Sequence, residues 1–324
     1  MLALVFTLFT ATLPTGSAYI ASSGGSCGGA TSLTTSSCRL ANVSVKSLWD
    51  PEVGLSFSID DRTASMKVTE PSGTDIGTII VQNGGGGTGS VEASTYGTAA
   101  LSSLNALGYR IVQVLWTLSG SDQGMWQGSP SSSSYGGDSL PDGPLYLAGR
   151  FAALSRAICE DSTLRAVGKP CMAYGQSGGG AAVAYSLTRY GAGAWLDGVL
   201  ISGGPALGML AEGCSGLTLP GWLASCASYR ATASGLCVHT NGSTSGAFVD
   251  GTYGDGRVNC AQQAGHVPHH ALFGGGAVRR FPYTTVRSLV GDADASEAAA
   301  LGRYAIAQMR DSTAAAPVAL ITPG

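Results

Sequence analysis

The sequence predicts an α/β fold in which a mostly parallel central sheet is flanked by helices. Three observations carry that expectation. From about residue 78 onward, apolar runs of strand length alternate with stretches of helical spacing. Two of those runs end directly in glycine-rich turns. The segments before residue 72 are short and partly alternating, as antiparallel strands with one solvated face are.

The elements follow in order. "LALVFTLFTATL" is a twelve-residue apolar run followed by "PTGSA", whose small residues suit a signal-peptidase site. We expect a signal peptide over 1–18, although no basic residue precedes the run; a buried first strand is the alternative. Residues 19–43 are rich in Gly, Ser and Thr and are expected to form a loop stapled by a Cys27–Cys38 disulfide. A single domain then covers 44–324. It opens with the strand-like stretches "SVKSLW", "LSFSI" and "TASMKVTEP". "TIIVQN" is a continuous apolar strand ahead of the first glycine turn, and 91–107 is expected to be helical. Strand 109–116, helix 143–161, strand 170–176, helix 178–190 and strand 194–202 follow. In 143–161, Leu145, Leu147, Phe151, Leu154 and Ile158 share one helical stripe. The last elements are strand 283–291, an Ala-rich helix at 296–310 and strand 317–322.

Residues of about 205–280 interrupt this alternation and hold Cys214, Cys226, Cys237 and Cys260, four of the eight cysteines. We expect a disulfide-tied cap insertion over the carboxyl edge of the sheet, where open α/β sheets bind ligands.

Bulk composition excludes several classes. Charged residues make up 11% of the chain, and 17 basic against 20 acidic side chains leave a net charge of −3. No basic field is available for nucleic acid, and no stable membrane span is expected. The even cysteine count in a weakly charged chain fits an oxidising compartment, so a secreted protein is expected. Asn42-Val43-Ser44 and Asn241-Gly242-Ser243 match the glycosylation triplet.

Chemistry is concentrated at the two glycine turns. Gly175-Gln176-Ser177-Gly178-Gly179 is a G-x-S-x-G between an apolar strand and an Ala-rich helix. In that context the serine sits at a strained strand-to-helix turn that pushes its hydroxyl clear of the backbone. The flanking glycines allow strand and helix to pass closely. "GGGGTG", residues 84–89, also satisfies the G-x-G-x-x-G of a dinucleotide site. That site wants an acid at the end of the next strand, and the nearest one, Asp122, lies well beyond "VQVLW". Bare N–H groups aimed at a developing oxyanion fit the run better. Trp116 and Trp126 are expected to pack in the core, with pocket lining as the alternative. "DGTYGDG" (250–256) lacks the spacing of a calcium loop and reads as a turn.

Strand–GGGG–helix, strand–GQSGG–helix and a later strand ending in acid together resemble the α/β-hydrolases. The glycine run resembles the GGG-type oxyanion loops of carboxylesterases and lipases, with Asn83 where a histidine often stands. The resemblance spans about 45–324. It implies a serine hydrolase acting on small-molecule or lipid-like carboxylic esters, with no cofactor and no metal. Ser177 would be the nucleophile, and the N–H groups of Gly178 and of Gly84 or Gly85 the oxyanion hole. The acid would be Asp294, or Asp292. An amidase or peptidase with the same machinery is an alternative, as is a catalytically silent binding protein of this fold.

The family's base is a histidine after the last strand, and no histidine lies between Asp294 and Gly324. We expect it beyond the sequence given, with the cluster His270, His269 and His266 in the cap as the fallback. Pro268 interrupts that cluster and prevents the helical i,i+4 face that paired metal ligands use. His239 stands apart in a Ser/Thr-rich loop.

Overall fold

The computed structural model describes residues 12–24, 27, 33, 37–52, 54–117, 124–126, 143–204, 272–273, 277, 281–289, 309 and 319–321. Nine strands form one sheet in the order β1-β2-β3-β5-β4-β6-β7-β8-β9. They are β1 (Ser17–Ile20), β2 (Ser37–Asp50), β3 (Leu55–Thr69), β4 (Gly77–Gln82), β5 (Tyr109–Trp116), β6 (Cys171–Gln176), β7 (Gly198–Ser202), β8 (Thr285–Leu289) and β9 (Ala319–Ile321). The first three strands and the β3–β5 pair are antiparallel; every pairing from β5 through β4 to β9 is parallel.

Sequence pattern explains the parallel part directly. All six residues of β4 are buried, so "GTIIVQ" is apolar on both faces and must be covered on both. α1 (Thr95–Ala106) crosses one face between β4 and β5. α2 (Pro144–Glu160) and α3 (Gly178–Tyr190) pack together on the other, from which α3 returns the chain to β7. Ile79, Val81, Ile111 and Leu101 form the smaller cluster under α1. Ile80, Val112, Val114, Phe151, Leu154, Val183 and Leu187 belong to the larger one under α2 and α3. Each such side chain, fully buried, stabilises the fold by about 1.5–3 kcal/mol.

Four local boundaries differ from the pattern reading. First, 91–107 is not one helix: a 3-10 turn at Val91–Ala93 precedes α1. Ser94 breaks the two apart, its extended backbone and side chain capping α1 through a 3.0 Å bond from Gly97 N–H. Second, β3 runs unbroken through residues expected to separate two strands. β2 starts at Ser37, inside the expected loop, and β1 straddles the boundary between the expected signal peptide and that loop. β2 carries bulges between Val43 and Val45 and between Val45 and Leu48, and Ser47 has a φ of 50°. These irregularities shift the side-chain alternation and hide the strand from a period-two reading.

Third, α2 is buried nearly all round instead of along one stripe, because β1, β2, β3, α3 and the 3-10 turn Gly124–Trp126 all pack on it. Fourth, strand 194–202 narrows to β7, since a 3-10 turn at Ala192–Ala194 precedes it. Most of helix 296–310 lies outside the described residues.

The N-terminal segment is built into this frame. Leu13 is buried in the larger core, and its N–H donates to Arg189 O at 2.8 Å. β1 pairs with β2 from Ser17↔Ser44 to Ile20↔Ala41. The fold therefore uses residues on both sides of the expected cleavage position at 18. Two disulfides join described cysteines. Cys27–Cys38 is the expected staple, and Cys159–Cys171 ties the end of α2 to the start of β6. Cys214, Cys226, Cys237 and Cys260 lie outside the described residues, as does most of the expected cap; of its range, Leu272 is buried in the larger core.

Candidate active site

Both glycine turns sit at the carboxyl edge of the sheet, on the adjacent parallel strands β4 and β6. α1 leaves β4 on one face and α3 leaves β6 on the other. The strand order thus reverses between them, which is where open parallel sheets have a crevice.

Ser177 lies between β6 and α3 with φ 51° and ψ −114°, a strained conformation for a residue with a Cβ. The surrounding bonds hold it there. Its N–H donates to Ser202 O at the end of β7, at 2.8 Å, and its carbonyl accepts from Ala181 N–H at 3.0 Å. A Cβ at Gly175 would overlap Gly179 O, and one at Gly179 would overlap the carbonyl oxygens of Gln82 and Asn83. The G-x-S-x-G spacing is thus enforced by backbone against backbone.

The same closeness joins the two turns. A Cβ at Gly178 would overlap Gly85 O, and Gly85 N lies 3.2 Å from that position. A Cβ at Gly84 would come within 3.2 Å of Ser177 Cβ. The structure therefore brings Ser177, Gly178, Gly84 and Gly85 together. Gly85 takes a left-handed φ of 57°.

The two loop N–H groups differ in use. Gly84 N–H donates to Asn83 Oδ1 at 2.8 Å, while Asn83 Nδ2 donates to Gly89 O at 3.1 Å, so one side chain clasps both ends of the turn. Among the described residues, no acceptor takes the N–H of Gly85 or Gly178. The sequence held a signal for this clasp, since Asn before glycine favours a side-chain-to-backbone turn. Gln82 and Trp116 support the loop from below. Trp116 Nε1 donates to Gln82 Oε1 at 3.0 Å, and Trp116 N–H donates to Gly87 O at 2.9 Å. Trp116 and Trp126 are both buried in the larger core, Trp126 edge-on to Tyr185.

Tyr174, three residues before Ser177, is held above the usual phenol range by burial, partly opposed by its hydrogen bond with Ser202. It stays protonated at neutral pH and cannot serve as a base. Gly203 N–H donates to Leu289 O at 2.8 Å, which ties the end of β7 to the end of β8. Asp292 and Asp294 follow β8 by three and five residues but lie outside the described residues, as do His239, His266, His269 and His270.

Solved structures share this architecture. An esterase from Pyrobaculum calidifontis aligns over 88% of this chain and 75% of its own, with a TM-score of 0.50 and 13% identity. A bacterial heroin esterase aligns over 90% and 77%, with a TM-score of 0.50 and 14% identity. The chain has the α/β-hydrolase fold. At such identity the likeness is one of fold. No protein-family model matches the chain, and no curated protein matches it. In this chain Ser177 lies in the strand-to-helix turn after β6, and Gly84–Gly89 form the turn after β4.

Proposed function

We propose that the protein is a serine hydrolase that cleaves carboxylic esters through an acyl-enzyme at Ser177. One observation carries the reading: a serine in a strained strand-to-helix turn, with the Gly178 and Gly85 backbones packed beside it and both N–H groups without a described acceptor. Ser177 Oγ attacks the ester carbonyl carbon while a histidine base takes its proton. Negative charge moves to the carbonyl oxygen, which accepts from Gly85 N–H and Gly178 N–H. Gly84, whose N–H is held by Asn83, acts as the spacer between clasp and donor. Collapse of the tetrahedral species expels the alcohol, which leaves with that proton. Water then attacks the acyl group with the same base, releasing the acid and restoring Ser177.

Asp294, or Asp292, orients the base in this reading; both follow β8 in sequence, and β8 runs parallel two strands from β6. The base itself is expected beyond the sequence given, with His270, His269 and His266 of the expected cap as the alternative source. The substrates are small-molecule or lipid-like esters.

Ser177→Ala tests the reading. It is expected to abolish p-nitrophenyl ester hydrolysis and labelling by a fluorophosphonate, with thermal stability within a few degrees of the parent. Retained hydrolysis would exclude Ser177 as nucleophile.

We further propose that the protein works outside the cytosol. Its two described disulfides suit an oxidising compartment, and among the described residues no helix is long and apolar enough to cross a membrane. Any leader would be removed ahead of Thr12, since Leu13 and β1 are part of the packed domain. N-terminal sequencing of the mature protein checks this; a start at Tyr19 would refute it.

A further inference from the structure

Arg150 is an unusual core residue. It lies midway along α2, is completely buried, and donates to two main-chain carbonyls. Nη1 bonds Met125 O at 2.6 Å, and Nη2 bonds Asp60 O in β3 at 2.9 Å. Met125 belongs to the 3-10 turn Gly124–Trp126, and its own N–H donates to Gly86 O at 3.0 Å. Gly124, with φ 60°, packs so closely that an added Cβ would stand 2.5 Å from the same oxygen.

Gly86 is the residue after the proposed oxyanion donor Gly85. From the other side, the loop is held by Trp116 N–H on Gly87 O and by the Asn83 clasp. The turn at Gly124–Trp126 is therefore a strut between the helix face and the glycine loop, and Arg150 is one of the groups that hold it. A guanidinium suits the task. Its planar fork donates in two fixed directions at once, so it sets the distance between β3 and the turn. An apolar residue there would leave both carbonyls without these donors.

We propose that Arg150 is a positioning residue for the oxyanion loop, acting through the peptide groups of Met125. This rests on the proposed ester-hydrolase reading for its catalytic consequence but not for its structural one. In this role Arg150 does no chemistry itself; it sets where Gly85 N–H points once Ser177 has attacked. Loss of the strut is thus expressed in the transition state more than in substrate binding.

The test compares the parent chain with Arg150→Met and Arg150→Lys, the second keeping charge and one donor. With p-nitrophenyl acetate, Arg150→Met is expected to lower kcat on the order of 100-fold while KM moves by less than about threefold. Arg150→Lys is expected to recover part of that loss. Amide hydrogen exchange supplies a readout independent of activity. Met125 and Gly87 amides are expected to exchange at least about tenfold faster in Arg150→Met, with the β6 and β7 amides unchanged.

Unchanged exchange and unchanged kcat would overturn the proposal. So would a uniform rise in exchange through β6 and β7, which would make Arg150 a general core group. A parent chain that does not hydrolyse the ester would defeat the hydrolase reading instead, and the exchange pattern alone would then decide the role of Arg150.

Discussion

Replacing Gly179 by alanine perturbs the site at a point where the structure allows a magnitude to be worked out. The added Cβ would meet Asn83 O at 2.5 Å and Gln82 O closer still. Ordinary contact begins at 3.4 Å, and both obstacles are main-chain carbonyls that no rotamer change can clear. The end of β4 and the first turn of α3 must therefore separate by roughly 1.0 Å, about the 1 Å misplacement that costs on the order of 100-fold in rate. The displaced carbonyls lead straight into Gly84 and Gly85, so the shift falls on the proposed donor Gly85 beside Ser177. Overpacking of a close-packed interior adds a stability loss of about 1–3 kcal/mol. Steady-state hydrolysis of a p-nitrophenyl ester and thermal unfolding measure the two effects separately. The expected outcome is a fall in kcat of about two orders of magnitude with a moderate loss of stability. A variant that kept more than about half its kcat, with an unchanged midpoint, would show that β4 and the elbow do not form one rigid unit.

Three further outcomes follow from the packing. Cys159–Cys171 closes a loop with a sequence separation of 12, so replacing both cysteines by alanine is expected to cost about 3 kcal/mol, read from denaturant melts; an equal melt in both proteins would refute it. Lys67 and Glu92 form a buried ion pair, with side chains 2% and 1% exposed. Glu92→Gln is expected to cost about 3–5 kcal/mol, and a matched apolar pair at both positions far less, because the single change strands a buried charge; a double-mutant cycle measures the difference. Tyr146, Tyr185 and Tyr190 all have phenols raised above their ordinary value of 10, first by burial. Asp50 adds to the effect at Tyr146, and Tyr146 adds to it at Tyr190. A raised acid binds its proton more tightly in the folded state. Its stabilisation is therefore complete below about pH 10 and is lost as pH rises further, at about 1.4 kcal/mol per pH unit for each phenol. Absorbance at 295 nm and circular dichroism followed from pH 9 upward should show tyrosine ionisation and unfolding in one step; phenols that titrate while the fold persists would contradict the burial.

The parts of the fold legible in the sequence are those where one backbone excludes a side chain or where a strand is apolar throughout. Gly175, Gly178 and Gly179 announce the elbow because nothing larger fits against Gln82, Asn83 and Gly85. β4 announces itself because both faces are covered. The rest was hidden for a different reason: its logic is carried by polar groups whose partners are distant in sequence. Lys67 looks like the solvated side of an alternating strand, yet Glu92 is brought over it by the turn that follows the glycine loop. Arg150 looks like a break in an apolar helix, yet it holds a carbonyl 25 residues away. Cys159 and Cys171 lie at the end of a helix and the start of a strand, not in a Gly/Ser-rich loop like Cys27 and Cys38.

The Lys67–Glu92 pair and Arg150 both lead to the glycine loop. Glu92 begins the segment leaving the glycine loop, Met125 contacts its middle, and Asn83 closes its mouth. A loop of glycines loses more conformational entropy on ordering than any other sequence of that length, and it brings no side chains of its own to fix it. Its order must come from outside, from directional bonds that set position as apolar packing cannot. Buried polar groups are costly unless satisfied, and the fold places several of them around the one segment whose geometry matters most to the proposed chemistry.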